Sequence, residues 1–423
     1  MRQYYLPCVS VLIGLSVSLS ACSLSDDSPE PNGGGAGTNP GASGSSNVAG
    51  TNGNGTAGSN VGVAGSNAGA AGNTSSTGGA PGSAGSAGMS GAGGAPGTAG
   101  TAGASMSGAG GGGPGGMHVR TGKSAGCDKP PPGTDSSQNY IKHDITVGGL
   151  DPVYLKGGMY YESSGNYDFA KRPYSVRLPA NYDPSKPYAV TFGGGGCGGD
   201  ASGSNGGGLQ IAPNGATIQV GLIYISGCFS DGGPSIGNRP DTPEEPYFRA
   251  VMAQMEKDYC IDLSQVFVAG YSSGGWEAYT LGCAAADLVR GIGADEGGFR
   301  TMHPACKGPV AAVLVAGEAD TENPIGPRDP NKEADKGAIG RLGSLGSAPG
   351  RDNILMRNGC VGTATAAYED AKYGQCKKYT GCPAAYPVVW CSLPGVGHNN
   401  STYNGTNYSP GPMWDVLSKL PPP

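Results

Sequence analysis

The sequence predicts an α/β domain, a mostly parallel central sheet flanked by helices, behind a long unstructured N-terminal lead. Three observations predict it. From about residue 170 onward, short apolar runs alternate with stretches of helical period, the order that strands and crossover helices impose. One of these runs, QVFVA (265–269), is short and β-branched, as a strand covered on both faces requires. Residues 31–116, by contrast, hold almost nothing but Gly, Ala, Ser, Thr, Asn and Pro.

That low-complexity segment has no aromatic residue and no charged side chain between Glu30 and Arg120. It cannot bury enough apolar surface to offset its chain entropy, so disorder is expected. A Gly/Ser-type coil of ~90 residues has an r.m.s. span of roughly 50 Å. The first residues are of another kind. MRQYYLPCVSVLIGLSVSLSAC carries Arg2, an apolar stretch through Leu19 and then small residues, a secretory signal too short and too Ser-rich for a membrane span. Its end, Leu19-Ser20-Ala21-Cys22, resembles the cleavage box of bacterial lipoproteins, which implies lipidation of Cys22 and stable attachment to a membrane. Plain cleavage near Ala21 with free secretion is the alternative. The expected organisation is a signal peptide at 1–21, an anchor cysteine and linker at 22–126, and one folded domain at 127–423, of a size for a single core.

Of the 12 cysteines, Cys8 falls in the signal and Cys22 in the cleavage box. The rest lie in the domain: Cys127, Cys197, Cys228, Cys260, Cys283, Cys306, Cys360, Cys376, Cys382 and Cys391. An even count in an exported chain predicts disulfides. No Cys-x-x-Cys occurs and histidines are few, so neither a metal nor a cofactor is expected. A net charge of −6 argues against nucleic acid and anionic membrane surfaces as partners. The oligomeric state leaves no readable mark.

Along the domain, YSVRLPA (174–180), YAVTF (188–192) and VGLIYIS (220–226) read as strands. Residues 246–259 place Phe248, Val251, Met252, Met255 and Tyr259 on one helical face, with Pro246 near the start, where proline is tolerated. QVFVA follows as a strand and WEAYTLGCAA as a helix. PVAAVLVAG (309–317) and YPVVWCSL (386–393) are further strands, RDNILMRNG between them is helical, and PMWDVLSKL closes the chain as a short amphipathic helix.

Gly-x-Ser-x-Gly occurs three times, centred on Ser124, Ser235 and Ser272. In a chain with 81 glycines only context separates them. Ser124 has no strand before it, and Ser235 sits beside Pro234 with no helix after it. Ser272, in VFVAGYSSGGW, has a strand running in and a helix leaving. A sharp strand–helix turn lifts a serine hydroxyl above the sheet, and glycines two residues either side relieve the crowding. Ser272 is therefore the candidate nucleophile.

Such a nucleophile needs a base, and the base an orienting carboxylate, in the order Ser, acid, His. Only His303 and His398 follow Ser272. His303 precedes the strand that should carry the acid. His398, in LPGVGHNNS, directly follows the YPVVWCSL strand and is the expected base. GEADTENP offers Glu318, Asp320 and Glu322 as the acid; Asp320 is best placed and Glu318 is the runner-up. Asp295 and Glu296, in GADEGG, follow the strand directly after the nucleophile, a position from which some hydrolases supply the acid instead. Oxyanion donors are expected from the backbone amide of Ser273 and from VTFGGGGCGGD (190–200), at Gly196 or Cys197. Trp276 either lines an aromatic acyl pocket or belongs to the core.

Taken in order, VTFGGGGCGGD, YCIDLSQVFVAGYSSGGW, VLVAGEADTENP and WCSLPGVGH resemble the secreted α/β-hydrolases grouped as feruloyl esterases and polyhydroxybutyrate depolymerases, over roughly residues 170–420. The resemblance implies an α/β-hydrolase fold with Ser272 as nucleophile, Asp320 as acid and His398 as base. Members of the family usually carry a histidine just before the Gly-Cys of the oxyanion loop, where this chain has Gly195. The resemblance also suggests pairing Cys260 with Cys283, and less directly Cys360 with Cys391 and Cys197 with Cys228. It implies a serine esterase acting on a polymeric ester, with feruloyl or acetyl groups on plant cell-wall polysaccharide favoured. Two alternatives are a polyhydroxybutyrate depolymerase with the same triad, and a non-catalytic surface lipoprotein that keeps the fold for binding. A peptidase is more distant.

Overall fold

In a computed structural model the described residues are 120–133, 135–159, 165–199, 203, 206–229, 242–300, 306–329, 332, 343–398 and 400–423. They lie in one compact unit, Thr101–Pro423. The expected signal sequence, Cys22, the low-complexity lead, Ser235 and His303 fall outside the described residues.

Ten strands of one sheet succeed one another along the described chain: β1 (Ile141–Thr146), β2 (Lys171–Arg177), β3 (Tyr188–Gly194), β4 (Ile218–Leu222), β5 (Ile261–Tyr271), β6 (Gly291–Asp295), β7 (Ala311–Gly317), β8 (Thr365–Ala367), β9 (Cys376–Tyr379) and β10 (Val388–Leu393). Their spatial order is β1-β2-β4-β3-β5-β6-β7-β10-β9-β8. The centre, from β4 through β3, β5, β6 and β7 to β10, is parallel. Antiparallel strands extend it on both sides, β2 and β1 at one edge and β9 and β8 at the other. A small hairpin, β11 (Thr402–Tyr403) and β12 (Thr406–Asn407), stands apart from this sheet.

Helices cover both faces: α1 (Glu244–Asp258), α2 (Ser273–Ala284), α3 (Ser347–Arg357) and α4 (Gly411–Leu417). Alternation along β5 shows how one strand serves two cores. Val266 and Val268 face the cluster under α1, with Phe248, Val251, Met252 and Met255, while Phe267 and Ala269 face the cluster under α4, with Met413 and Leu417. The apolar stripe read from residues 246–259 is the buried face of α1, joined by Tyr247. Among the described residues no helix is long and apolar enough to cross a membrane.

The structure differs from the sequence reading in instructive places. The run 220–226 pairs only as far as Leu222; Tyr224 beyond it is buried against the Phe229 ring, so its apolarity reflects loop burial rather than strand pairing. β6, GIGAD, is the strand expected between the nucleophile helix and GADEGG; it carries little side chain, yet all of it is buried. A Cβ at Gly291 would sit 2.6 Å from Leu417 and one at Gly293 2.7 Å from Met413, so these glycines let α4 lie directly on the sheet. Residues Arg120–Gly126, placed in the linker by composition, are docked on the domain. Ser124 is buried, donates from Oγ to Tyr259 O at 2.5 Å and accepts from Ile261 N at 2.8 Å, which makes it a bracing residue.

The described cysteines pair as Cys127–Cys260, Cys197–Cys228, Cys283–Cys306, Cys360–Cys382 and Cys376–Cys391. The expected Cys197–Cys228 bridge is present; Cys260–Cys283 and Cys360–Cys391 are not. Cys260 is taken by Cys127 because the 120–127 segment lies against the start of β5. Cys283, at the end of α2, meets Cys306 beside the Lys307 N–H to Cys283 O hydrogen bond. Cys376 and Cys391 stand directly opposite each other on β9 and β10, and the polar run CKKY gives no strand signal for β9.

Candidate active site

Between β5 and α2 the chain turns at Ser272, whose φ of 53° is a left-handed value that a non-glycine residue adopts only when its surroundings hold it there. The flanking glycines make that turn possible. A Cβ on Gly270 would lie 2.1 Å from the Gly274 backbone, and one on Gly274 would lie 2.2 Å from Gly194 O. Backbone bonds fix the turn further: Ser272 N–H donates to Asp295 O at 2.9 Å, and Gly274 N–H to Gly195 O at 2.9 Å.

The structure brings the three expected triad residues together. Ser272 Oγ and His398 Nε2 are 3.0 Å apart, and His398 Nδ1 is 2.9 Å from Asp320 Oδ2. Asp320 leaves the end of β7 and His398 the loop after β10, the neighbouring parallel strand. Asp320 is almost completely buried, and its other oxygen, Oδ1, accepts the amides of Glu322 and Asn323, each at 2.8 Å. That leaves Oδ2 for the imidazole. Glu318, the runner-up, is instead spent on the Ser392 hydroxyl at 2.8 Å.

Burial by itself would lower the pKa of His398. The hydrogen bond and charge of Asp320, with the charges of Glu322 and Glu296, outweigh it and hold the imidazole above its ordinary value. Glu322 Oε2 lies 3.6 Å from Nε2, and fully buried Glu296 has Oε2 3.6 Å from Nδ1. The Tyr271 ring stacks beside His398 with centroids 5.6 Å apart. Glu296, Asp320 and His398 are the described His and acid residues whose ligand atoms lie within 4.8 Å of one another, but Nδ1 there is already engaged by Asp320.

Gly196 approaches the nucleophile closely: a Cβ there would be 3.4 Å from Ser272 Cβ and 2.9 Å from the Tyr271 ring. Ser273 opens α2, so its N–H has no acceptor within the helix, as an oxyanion donor requires. The Cys197–Cys228 bridge and the Gly198 N–H to Gly227 O bond at 2.8 Å hold the loop carrying Gly196 and Cys197. Gly195 has its own steric reason. A Cβ there would meet Gly207 O at 2.7 Å, and one on Gly208 would meet Gly195 Cα at 2.3 Å, so two strips of bare backbone are pressed together where a histidine side chain has no room.

A cleft of about 610 Å³ opens beside this loop. Its wall is mixed: Gly196, Leu209 and Tyr271 on one part, and the polar side chains of Asp295, Ser401 and Ser409 on another. Burial pushes the Asp295 carboxyl up to about 6, although the Ser401 hydroxyl donates to it at 2.7 Å. Trp276 does not line this cleft. It is fully buried in α2, with Nε1 donating to Asn323 Oδ1 at 2.7 Å and the Arg300 guanidinium 4.4 Å above its ring. Of the two roles open to it, the core role is the one observed. Sequence reasoning missed Asn323, for which the polar run ADTEN gave no signal, and weighed Glu296 only as an alternative acid.

No protein-family profile matches the chain. Among curated proteins it is similar to feruloyl esterase C of Emericella nidulans, 26% identical over 258 residues, spanning 58% of this chain and 83% of that one. It is also similar to feruloyl esterase D of Neurospora crassa, 25% identical over 273 residues, 60% of this chain and 84% of that one. Among solved structures, acetyl xylan esterase from Aspergillus awamori aligns over 66% of this chain and 99% of that one, with 13% identity and a TM-score of 0.42. With its mostly parallel sheet and strand–serine–helix turn, the chain is a feruloyl esterase-like α/β-hydrolase, a serine carboxylic-ester hydrolase.

Proposed function

We propose that the protein hydrolyses feruloyl or acetyl esters of plant cell-wall polysaccharide through a Ser272–His398–Asp320 triad and an acyl-enzyme. The observation that carries this reading is His398, bonded at one nitrogen to Ser272 Oγ at 3.0 Å and at the other to Asp320 at 2.9 Å. The Ser272 hydroxyl donates to Nε2. As Oγ attacks the ester carbonyl, His398 takes the proton and the buried Asp320 stabilises the imidazolium that forms. Charge developing on the carbonyl oxygen is met by the amides of Ser273 and of the Gly196–Cys197 loop. His398 then returns the proton to the departing alcohol, and water, activated by the same base, cleaves the acyl-enzyme.

The names of the similar curated proteins support a feruloyl acyl group, and the mixed cleft wall, with Tyr271 and Leu209 beside Asn400, Ser401 and Asn407, suits an ester with an aromatic acyl part and a hydroxyl-rich alcohol part. Residues 1–22 support export, with lipidation at Cys22 tethering the domain to a membrane through the Gly-rich lead. The test is hydrolysis of methyl ferulate, acetylated xylan and poly(3-hydroxybutyrate) by the full chain and its Ser272→Ala variant. Ser272-dependent turnover of the ferulate or the xylan is expected. Turnover of the polyester alone would replace the substrate, and turnover unaffected by Ser272→Ala would remove the mechanism.

A further inference from the structure

His398 faces two buried carboxylates, where an orienting role needs one. We propose that Glu296 is a second positioning residue for His398, sharing its Nδ1 proton with Asp320 and holding the imidazole when Asp320 is lost. The inference rests on the triad reading above and goes beyond it.

The two carboxylates arrive from neighbouring parallel strands. Glu296 directly follows β6, and Asp320 lies shortly after the end of β7. Glu296 is completely buried and sits at φ 47°, a left-handed conformation that costs a non-glycine residue energy. Its amide donates to Val315 O at 2.9 Å, which fixes the backbone in that conformation beside the acid-bearing strand. From there Oε2 reaches to 3.6 Å from Nδ1, and Oε1 accepts the amide of Asn400 at 3.3 Å, in the same loop as His398. Glu296 thus contacts both the base and the backbone that delivers it.

Asp320 holds the shorter contact, 2.9 Å against 3.6 Å, so it is the principal acceptor. The difference is under an ångström, within reach of a small imidazole rotation. Other groups face His398 from the surrounding elements. Glu322 lies 3.6 Å from Nε2 and is half exposed, Asp295 contributes a buried carboxyl at the end of β6, and Tyr271 stacks on the ring at the end of β5. None of these has a described contact with Nδ1, so Glu296 alone of them is placed to replace Asp320.

The test compares kcat/KM on a ferulate ester, as a function of pH, for the oxidised full chain and for its Asp320→Asn, Glu296→Gln and doubly substituted variants. Removing the acid of an ordinary triad costs about 10⁴-fold. Here Asp320→Asn is expected to cost only about 10- to 100-fold, and the double variant about 10⁴-fold. Glu296→Gln alone removes a negative charge from beside the imidazole, so the acid limb of the profile moves to lower pH, a shift that a purely structural role would not produce. Asp320→Asn retaining at least about tenfold more activity than the double variant supports the inference. Asp320→Asn falling to the level of the double variant overturns it while leaving the triad intact, and this comparison needs no result from Glu296→Gln alone. Wild-type activity insensitive to Ser272→Ala would reject the triad reading, and Glu296's role with it.

Discussion

The Trp276 indole donates its N–H to Asn323 Oδ1 at 2.7 Å, and the backbone amide of that same Asn323 donates to Asp320 Oδ1 at 2.8 Å. A tryptophan at the start of the nucleophile helix thereby braces the loop that carries the acid. Trp276→Phe keeps the ring and deletes the N–H, leaving a buried amide oxygen without its donor, a loss of about 1–3 kcal/mol. The expected result is a lower thermal midpoint and a kcat reduced about tenfold, with KM on methyl ferulate nearly unchanged. A rise in KM at constant kcat would instead mark Trp276 as a substrate contact.

Gly195 tests the packing of the oxyanion loop. Gly195→Ala places a methyl group 2.7 Å from Gly207 O, so one strip of backbone must move. Gly195 O also receives the Gly274 amide and the Ser273 hydroxyl, each at 2.9 Å, so the movement reaches the nucleophile turn. Overpacking of this kind costs about 1–3 kcal/mol. Thermal melts and kcat should both fall, and Gly195→His should be worse than Gly195→Ala.

Much of the site was legible because it is written locally. Ser272, Asp320 and His398 each follow an apolar run that is a strand, and in this class of sheet chemistry gathers at the ends of strands. β6 was faint because glycines fill it for the benefit of α4, β1 and β9 because polar residues interrupt IKHDIT and CKKY, and β8 because it is only the three residues TAA. Disulfide partners were mostly illegible. Pairing depends on which segments meet in space, and neither the docking of residues 120–127 nor the β9–β10 register leaves a mark in spacing.

The pH dependence has a definite sign. His398 is held above its ordinary value and acts as a base only when neutral. kcat/KM should therefore rise with pH through an apparent pKa above the usual ~6.5 of histidine. In stability the same shift works in the opposite direction. The contribution from protonated His398 is fully present below the unfolded value and is lost as pH rises through the folded one.

Asp295 gives a separate pH signature. Burial raises its folded value to about 6, above the ordinary 3.8, so the protonated form is favoured in the folded state. Stability from this group is present at low pH and falls between those two values as the carboxylate ionises in a buried place. Asp295→Asn should remove that fall, flattening the dependence of the thermal midpoint on pH across this window. An unchanged dependence would mean that another group produces it.

The Cys127–Cys260 bridge closes a sequence separation of 133 residues and ties the entry segment to the start of β5. In the chain-entropy model a loop of this size is worth close to 5 kcal/mol. Replacing both cysteines by serine should lower the unfolding midpoint strongly, and non-reduced peptide mapping of the wild type should recover Cys127 linked to Cys260.

The proposed mechanism requires Ser272 to be a nucleophile activated by His398. Labelling the folded, oxidised full chain with a fluorophosphonate and mapping the modified residue by mass spectrometry tests it most directly. One label is expected, on Ser272, and it should be lost in His398→Ala. No label, or a label on another serine, would contradict it.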